Sequence, residues 1–543
     1  HYGAGQSNLD RDNALPFRYQ SSYGIDPWTQ WQINVLPETK RLKDLTGQTG
    51  SAFMAVMDNY LVVQASAGLL WYSSLAASAT PTFQSMATTV VDMTDQGDAV
   101  ITLLSNGAVV KATSPTAQTT HITRAGSTMV AFEKDYLILA DEHELYDVTD
   151  GTAKKIYTHP LTTFRWVDAC EGSQFIYALG GVNDRWMVHK IGVKSDGTGL
   201  VPAIVAVNLP HGEVGHSIDS YLGYIFIGTS KGVRMAQADS NGDLTLGAII
   251  PTDKFVTCFE GQDRFVWFGN SSIDPAYPPV QNDPASFPTS PVAGLGRLDL
   301  TTFTTTALTP AYATDLVAEG ETAGRNVQSV VTWNDIRVFS VNGGGVYYEG
   351  TNKMPAAWLQ QGLMSFSVED LKNGLYQQAK WLPGDGKIAL DLAFDSAGFG
   401  RYANLTVLPT NMRSDNVSLR GVQFSRVNAR YVLFRSTSDA TAAPTMTRWE
   451  LRATPVRGAA SRWTVPVVNH DTIDIDGVSY QRDVVYELSL LMDLVESGSI
   501  FNYQESGRAY QVHARDFEWR PEKLSANGRG WQGTFVIVVE EVI

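Results

Sequence analysis

The stretch "DNYLVVQASAGLLWYSSL" (Asp58–Leu75) decides the fold, because its pattern recurs along the chain. It contains a polar pair, a short apolar run, a turn of small residues and a second apolar run. One copy alone would predict only a β-hairpin. Including this one, seven copies of its first half occur, namely "DNYLVV", "GDAVITLL", "KDYLILA", "SQFIYAL", "LGYIFIG", "DRFVWFG" and "NDIRVFSV", with aligned positions Tyr60, Ala99, Tyr136, Phe175, Tyr224, Phe265 and Ile336.

The spacing of these copies predicts a β-propeller. The aligned positions are 39, 37, 39, 49, 41 and 71 residues apart, and a four-stranded propeller blade repeats about every 40–45 residues. Each copy follows an apolar segment such as "TMVAFE" and precedes a third segment and then a polar one such as "AQTTHIT". Because inner strands are covered on both faces and outer strands are half solvated, this order indicates inner, second, third and outer strands.

The seventh copy lacks an obvious outer strand. The segment "TKRLKDLTG" (Thr39–Gly47) precedes the first copy and has the composition of an outer strand. We therefore predict a seven-bladed β-propeller over residues 39–350, closed by this N-terminal strand, after an extension over residues 1–38. A β-sandwich with evenly spaced hairpins is the alternative, but the repeated four-strand order argues against it.

The remaining chain predicts two further domains. Segments such as "GKIALDLAFDS" alternate polar and apolar residues, which predicts a β-sandwich over residues 351–457. Residues 463–543 combine one helical pattern with strands, which predicts a small C-terminal α+β docking domain. The overall fold class is mainly β. The helical pattern places on one face Val484, Val485, Leu488, Leu491, Met492 and Val495, with Gly498 as the stop.

Composition excludes several classes of function. The net charge of −15 repels a phosphate backbone, so we expect no nucleic-acid partner. No apolar stretch approaches the roughly 20 residues that cross a bilayer, so we expect no membrane span. Cys170 and Cys258 lie in apolar, strand-like contexts, and we expect two buried free thiols rather than a disulfide or a catalytic pair.

No catalytic or metal-binding motif stands out. His211 and His216 in "HGEVGHS" favour a surface loop over a metal pair, and "DTIDIDG" (Asp471–Gly477) favours a strand with an Asp-Gly turn over a calcium loop. The sequence lacks the common nucleophile, zinc-protease, phosphate-loop and dinucleotide motifs. We expect no cofactor, no metal and no catalytic residue. Carboxylates could meet in the propeller channel, but 56 acidic residues leave any chosen pair a guess.

A proline-rich loop is the candidate contact region. The segment "GNSSIDPAYPPVQNDPASFPTSPVAG" (Gly269–Gly294) carries two aromatic residues, Tyr277 and Phe287. Proline stiffens the loop and the aromatics supply contact area, so it could bind a partner or a glycan. A surface insertion without function is an equally open interpretation. Trp71 and Trp267 lie within blade strands and are interpreted as packing residues.

The order of the parts resembles minor tail proteins of long-tailed bacteriophages, especially those that infect actinobacteria. The resemblance is most specific in "TRWELRATPV" (Thr447–Val456) and in Asp483–Val542. It implies a structural virion protein of the tail tip or baseplate, present in multiple copies in a symmetric assembly. It further implies that one end contacts other phage tail proteins and that the other end is available for host attachment through a cell-envelope glycan.

Two alternatives stay open beside this structural, non-enzymatic role. One is a lectin-like propeller that binds a receptor glycan. The other is a glycan-cleaving propeller with its active site in the central channel, which acidic and arginine residues converging on one face would support.

Overall fold

The computed structural model describes most of the chain in two compact units. The first unit comprises residues 1–367, 377–417 and 426–451, and the second comprises residues 368–376, 418–425 and 452–543. The structure describes residues 19–29, 31–46, 52–66, 68–76, 79–252, 255–273, 292–303, 308–322, 324–365, 371–395, 399–407, 413–455, 462–475, 478–497, 499–524 and 530–541.

Most of the first unit is a β-propeller built from antiparallel sheets that follow one another along the chain. In each sheet the chain runs outward, so the first strand is innermost. The second and third strands are largely buried, and fourth strands such as "AQTTHIT" are exposed, although the fourth strand Pro310–Val317 is largely buried. Sheets 1 to 4 consist of Met54–Met57, Tyr60–Ala65, Gly68–Tyr72 and Thr82–Ser85; Val90–Asp95, Val100–Leu104, Ala108–Ser114 and Ala117–Thr123; Ser127–Glu133, Tyr136–Asp141, Glu144–Asp147 and Lys154–Thr158; and Arg165–Glu171, Phe175–Val182, Arg185–Gly192 and Ile204–Asn208.

Three more sheets complete the series. Sheet 5 carries an additional short strand, Ile250–Pro251, on its third strand. Sheet 7 takes its fourth strand from the N-terminal part of the chain, because Pro37–Asp44 pairs with Gly345–Lys353. This pairing confirms the outer-strand prediction for "TKRLKDLTG". Sheets 5 to 7 consist of Gly215–Tyr221, Tyr224–Thr229, Gly232–Ala238 and Leu244–Leu246; Phe259–Gln262, Phe265–Ile273, Val292–Phe303 and Pro310–Val317; and Val327–Trp333, Ile336–Val341, Gly345–Lys353 and Pro37–Asp44.

The sheets close into a ring. The first strands contact one another in sequence order, and the first strand of sheet 7 contacts that of sheet 1. Each pair of neighbouring sheets shares one apolar cluster, including the pair formed by sheets 7 and 1, where Trp333 and Val338 pack with Leu61 and Val63. Since no sheet buries its faces alone, the apolar clusters between sheets hold the ring together.

Turn chemistry sets where each innermost hairpin reverses. The central residues Lys134 and Asp135 both have positive φ, and so do Asn334 and Asp335. Two-residue turns of this kind match the right-handed twist of the strands that they join. The polar pair at the start of each repeat is therefore the turn between the first and second strands.

The rest of the first unit contains a five-stranded antiparallel sheet. Its edge strand Ser21–Tyr23 belongs to the segment that we predicted as an N-terminal extension, and it was too short to identify from sequence. Ser22 bonds to Thr314 of sheet 6, so this N-terminal segment contacts the propeller directly. In order, the sheet contains Ser21–Tyr23, Ala356–Gln360, Val427–Phe434, Gly386–Phe394 and Gly400–Val407. The first unit also contains the paired short strands Ile25–Asp26 and Asn34–Val35. The remaining strands, which the division into units does not assign to the first unit alone, are Lys372–Trp381, Arg413–Ser418, Gln423–Phe424 and Met446–Pro455.

The second unit contains one helix, Val484–Glu496, packed on a four-stranded sheet. Asp483 caps the helix by accepting from the backbone N–H groups of Val485 and Tyr486. Of the residues in the predicted helical pattern, Val484 is buried and Val485 is 49% exposed, and Gly498 lies outside the described residues. The sheet order is Arg462–Asn469, Trp531–Glu541, Arg508–Leu524 and Ile500–Glu505, and Thr472–Ile475 pairs with Val478–Gln481 in a separate hairpin.

A buried charge network joins sheets 6 and 7. Asp315 is fully buried and accepts hydrogen bonds from the Arg297 Nε at 2.5 Å, the Arg337 Nη1 at 2.8 Å and the Trp267 indole at 2.8 Å. Burial by itself would raise the pKa of Asp315, but the two guanidinium groups outweigh it and lower the pKa to about 2. Arg337 also bonds to Glu349 on the strand that pairs with Pro37–Asp44. The positive charges of Arg297 and Arg337 are therefore compensated by the carboxylates of Asp315 and Glu349, beside the sheet that includes the N-terminal strand.

We predict that Asp315→Ala lowers the free energy of unfolding by roughly 3–5 kcal/mol, because it leaves two buried guanidinium groups without their carboxylate. Urea unfolding followed by circular dichroism measures the change. Asp150→Ala, which removes an exposed ion pair to Lys154, is the control and should leave the midpoint almost unchanged. Equal effects of the two substitutions would contradict a structural role for the network.

Candidate functional site

The propeller encloses a central channel with a cavity of about 410 Å³. The first strands of all seven sheets contribute to its wall. The strands that line it read as apolar runs interrupted by single acids, such as Asp92 in "VVDMT" and Asp168 in "VDACE". The ring therefore brings together acidic side chains that are far apart in sequence.

Three of these carboxylates bridge neighbouring first strands. Asp92 of sheet 2 accepts from the Val130 N–H of sheet 3 at 2.8 Å. Asp168 of sheet 4 accepts from the Ile218 N–H of sheet 5 at 2.9 Å. Glu260 of sheet 6 accepts from the Thr332 N–H of sheet 7 at 3.0 Å. Alternate sheets thus supply a carboxylate that satisfies a backbone donor of the next sheet.

We call the interface between two neighbouring sheets a joint. At other joints of the ring, neutral side chains donate the hydrogen bonds that link the two sheets. The Gln64 amide donates to the Val90 carbonyl at 2.8 Å between sheets 1 and 2. The Ser340 hydroxyl donates to the Ala52 carbonyl at 2.5 Å between sheets 7 and 1. These bonds lie near the channel wall, so polar links near the axis complement the apolar clusters farther out.

The channel carboxyl groups have raised pKa values. Burial is the largest cause for each of them, and repulsion from neighbouring carboxylates adds to it for Glu133, Asp92 and Asp219. The pKa of Glu133 rises to about 9, those of Asp92 and Asp219 to about 8, and those of Asp168 and Glu260 to about 7. Burial and mutual repulsion therefore favour the protonated form of these carboxyl groups over the charged form.

The channel wall offers little that could compensate an ionised carboxylate. No Lys or Arg belongs to the described residues that line the cavity. At the mouth, a second cavity of about 470 Å³ adds Glu171 and Asp135 together with one lysine, Lys134, whose Nζ bonds to the Ser173 carbonyl. Within the described part of the chain, no group of three His, Cys, Asp or Glu side chains has the arrangement of a metal site. Protonated carboxyl groups of this kind can donate hydrogen bonds or a proton.

The cysteines are free thiols, as predicted. Cys170 is buried as predicted, whereas Cys258 is only half-buried and lines the channel. Burial raises the pKa of both thiols, that of Cys258 to about 12. Neither thiol is therefore ionised at neutral pH, which agrees with the interpretation of both as unreactive.

The residues singled out by sequence are dispersed. Tyr277 and Phe287 lie outside the described residues. His211 is exposed and pairs with Asp184 at 2.6 Å, whereas His216 packs beside Phe255 at the channel. These two histidines do not form a common site. Trp71 and Trp267 are buried and bond through their indole nitrogens to Gln84 and Asp315, which confirms their packing role.

The channel acids were not identified from sequence. The signal that could have found them is an acid that recurs inside an otherwise apolar first strand, as in "VVDMT", "VDACE" and "SIDSY". A carboxylate in a segment that is covered on both faces must find a partner or a proton. Periodicity alone did not reveal that these acids face the same space.

The second unit exposes many large apolar side chains. Among the described residues, eleven of the twenty exposed large apolar side chains lie in this unit, which holds about a fifth of the chain. Tyr486 is 61% exposed and Leu490 is 49% exposed, one helical turn apart. The other nine are Leu371, Leu375, Val468, Val478, Tyr480, Val485, Ile500, Leu524 and Trp531.

Comparisons with known proteins do not identify the chain. No protein-family model matches it, and no curated protein matches it. Virginiamycin B lyase from Staphylococcus aureus is 13% identical, over 57% of this chain and 99% of its own, with a TM-score of 0.42. The N-terminal domain of Nup159 is 9% identical, over 64% of this chain and 99% of its own, with a TM-score of 0.38. Likeness at this level carries no argument about function.

We predict that the contribution of the channel carboxyl groups to the free energy of unfolding falls as the pH rises from about 4 to about 8. The ordinary pKa of a carboxyl group is about 4, so between these values the folded channel holds protons that the unfolded chain releases. Stability that is complete below pH 4 is therefore lost as the pH rises through the raised pKa values. Urea unfolding at each pH measures this slope.

The double variant Glu133→Gln, Asp219→Asn removes two carboxyl groups whose pKa values are raised. It should therefore reduce the decrease of the free energy of unfolding with rising pH. Asp135→Asn changes an exposed residue at the channel mouth and is the matched control, which should keep the slope of the parent. An unchanged slope in the double variant would show that the channel does not hold those protons.

Proposed function

We propose that this chain is a structural protein of a phage tail tip, which docks to other tail proteins through its C-terminal unit. In this proposal residues 39–350 form a seven-bladed propeller, residues 351–457 a β-sandwich and residues 463–543 the docking domain. The resemblance of Thr447–Val456 and Asp483–Val542 to minor tail proteins motivates it. A rigid ring and a separate contact unit suit a scaffold that holds its neighbours in place.

The exposed apolar surface of the second unit is the observation that carries the proposal. Tyr486 and Leu490 are both solvent-exposed and lie one turn apart on the helix, and adjacent large apolar side chains of this kind are unusual for a surface that faces water permanently. Aromatic and aliphatic anchors of this kind supply most of the binding free energy at protein interfaces. Burying one such side chain contributes about 1.5–3 kcal/mol.

The sheet of the second unit supports assembly in several copies. Its edge strands are Arg462–Asn469 and Ile500–Glu505, and neither has a further partner strand among the described residues. The outer side of an edge strand offers free backbone donors and acceptors to another chain. We therefore propose neighbouring tail subunits, including further copies of this chain, as the partners.

Localisation in the particle tests the proposal. Phage particles that encode this chain are purified and labelled with gold-conjugated antibody against it, and the label is located by electron microscopy. Label at the tail tip, in a number that matches the tail symmetry, is expected. Particles that lack the chain altogether would overturn the tail proposal.

We predict that Leu490→Lys reduces incorporation into particles at least about tenfold, because it places a charge in the docking surface and removes about 1.5–3 kcal/mol of apolar burial. Quantitative mass spectrometry of purified particles measures the incorporated chain. Glu496→Lys, on the exposed end of the same helix, is the control. Normal incorporation of a correctly folded Leu490→Lys chain would exclude this surface from docking.

A glycan-cleaving propeller is the second candidate, favoured by the protonated channel carboxyl groups. A raised pKa suits a general acid in glycoside hydrolysis. However, the described wall of the cavity contains no arginine. Release of reducing ends from host-envelope polysaccharide, abolished by Glu133→Gln, would support this candidate over the structural one. For a lectin-like propeller, the candidate residues Tyr277 and Phe287 lie outside the described residues.

A further inference from the structure

The joint between sheets 3 and 4 buries a histidine for which the described residues provide no hydrogen bond. His189 lies on the third strand of sheet 4 and is 1% exposed. Neither of its ring nitrogens has a hydrogen-bond partner in the part of the chain that the structure describes. A buried polar group without a partner costs stability, and a charged one costs far more. The neutral imidazole is therefore the form that the fold accommodates.

Aromatic rings surround His189 on several sides. Its ring centroid lies 4.9 Å from that of Trp166, 5.7 Å from Tyr157 and 5.9 Å from Phe164. A second histidine, His159, lies 6.0 Å away and stacks on Phe164 at 3.9 Å. Tyr157 and His159 come from sheet 3 and the connection that follows it, so the cluster spans the joint.

Few charged groups are near enough to compensate a proton on these rings. His143, in the turn of sheet 3, is the third titratable ring and disfavours a charge on His159. The pair Arg165 and Glu142, 3.9 Å apart, lies at the same joint but is exposed on both sides. In the described part of the chain, no carboxylate bonds to His189, and His159 Nδ1 accepts from the Leu161 backbone N–H. If one of these imidazole rings is already protonated, a proton on a second ring is therefore opposed by charge repulsion.

Few hydrogen bonds between described residues cross this joint, and one of them, from the Glu171 backbone N–H to the Glu133 carboxyl group, lies at the channel. Lys134 donates to the Ser173 carbonyl at 3.1 Å, and Tyr136 donates to the Gly197 carbonyl at 3.0 Å, both at exposed positions. The joints on either side have buried bonds at the channel from Asp92 and Asp168. The joint between sheets 3 and 4 therefore depends mainly on its apolar and aromatic packing.

We propose that His189 and His159 form an acid-sensitive latch: when either ring takes up a proton, sheets 3 and 4 separate locally while the rest of the ring stays folded. The direction follows from burial, which lowers the pKa of His189 to about 4 and also lowers that of His159. The ordinary value is about 6.5. The stability of the closed joint is therefore complete above pH 6.5 and is lost as the pH falls toward 4.

Hydrogen exchange tests the latch. For one histidine whose pKa moves from about 6.5 in the open joint to about 4 in the closed one, opening increases roughly 20-fold between pH 7 and pH 5. After correction for intrinsic exchange rates, peptides from Lys154–Thr158 and Arg185–Gly192 should show this increase. Peptides from sheets 6 and 7 should not. A uniform change over all sheets would overturn a local latch.

The variant His189→Phe keeps a ring at this position but cannot take up a proton, so it should lose most of the pH-dependent opening. His211→Asn, which alters an exposed histidine paired with Asp184, is the matched control and should behave as the parent. Opening in His189→Phe that equals that of the parent would overturn the proposal.

Nuclear magnetic resonance of the parent chain gives a second readout that does not depend on the folding of a variant. With ¹³C-labelled histidine, the His189 signal should keep its neutral shift down to about pH 5 and then change together with the exchange of sheets 3 and 4. Titration of His189 near pH 6.5 without any opening would overturn the latch.

Discussion

The pairing of Pro37–Asp44 with Gly345–Lys353 is the constraint on which the rest of the propeller depends. It joins an N-terminal strand to the last sheet, and the apolar cluster between sheets 7 and 1 lies beside it. Each sheet has two faces that need a neighbour, so an open ring would leave the faces around Leu61 and Trp333 in water. The charge network of Asp315 lies at the adjacent joint, between sheets 6 and 7. Burying these charges carries a desolvation penalty, which is offset because the closed ring holds both arginines beside the carboxylate.

Closure also creates the unusual electrostatics of the interior. Seven first strands meet around one narrow space, and the acids that they carry cannot separate. With no lysine or arginine among the described wall residues, protons rather than counter-charges neutralise Glu133, Asp92 and Asp219. His189 and His159, by contrast, lie between sheets 3 and 4, where burial disfavours the protonated imidazole. The same burial therefore favours protonation in the channel and opposes it between sheets 3 and 4.

The second unit follows a different design. Its core is one cluster around Phe535 and Ile537, and its sheet keeps open edges. Many of its large apolar side chains face solvent rather than that core. A small unit that leaves so much apolar surface uncovered is suited to completing its burial against another subunit. This is the physical ground for the docking role that we propose.

The sequence by itself determined the β class, the repeated four-strand order, the outer strand supplied from the N terminus and the helix that begins at Val484. These features depend on local patterns of polarity, which a short window contains. Only the tertiary structure decided that Asp92, Asp168 and Glu260 face one channel, that Ser21–Tyr23 joins a distant sheet and that His189 lies buried without a partner. Those facts join residues far apart in the chain, and their proximity arises from how the strands pair and the sheets close, which no local pattern encodes.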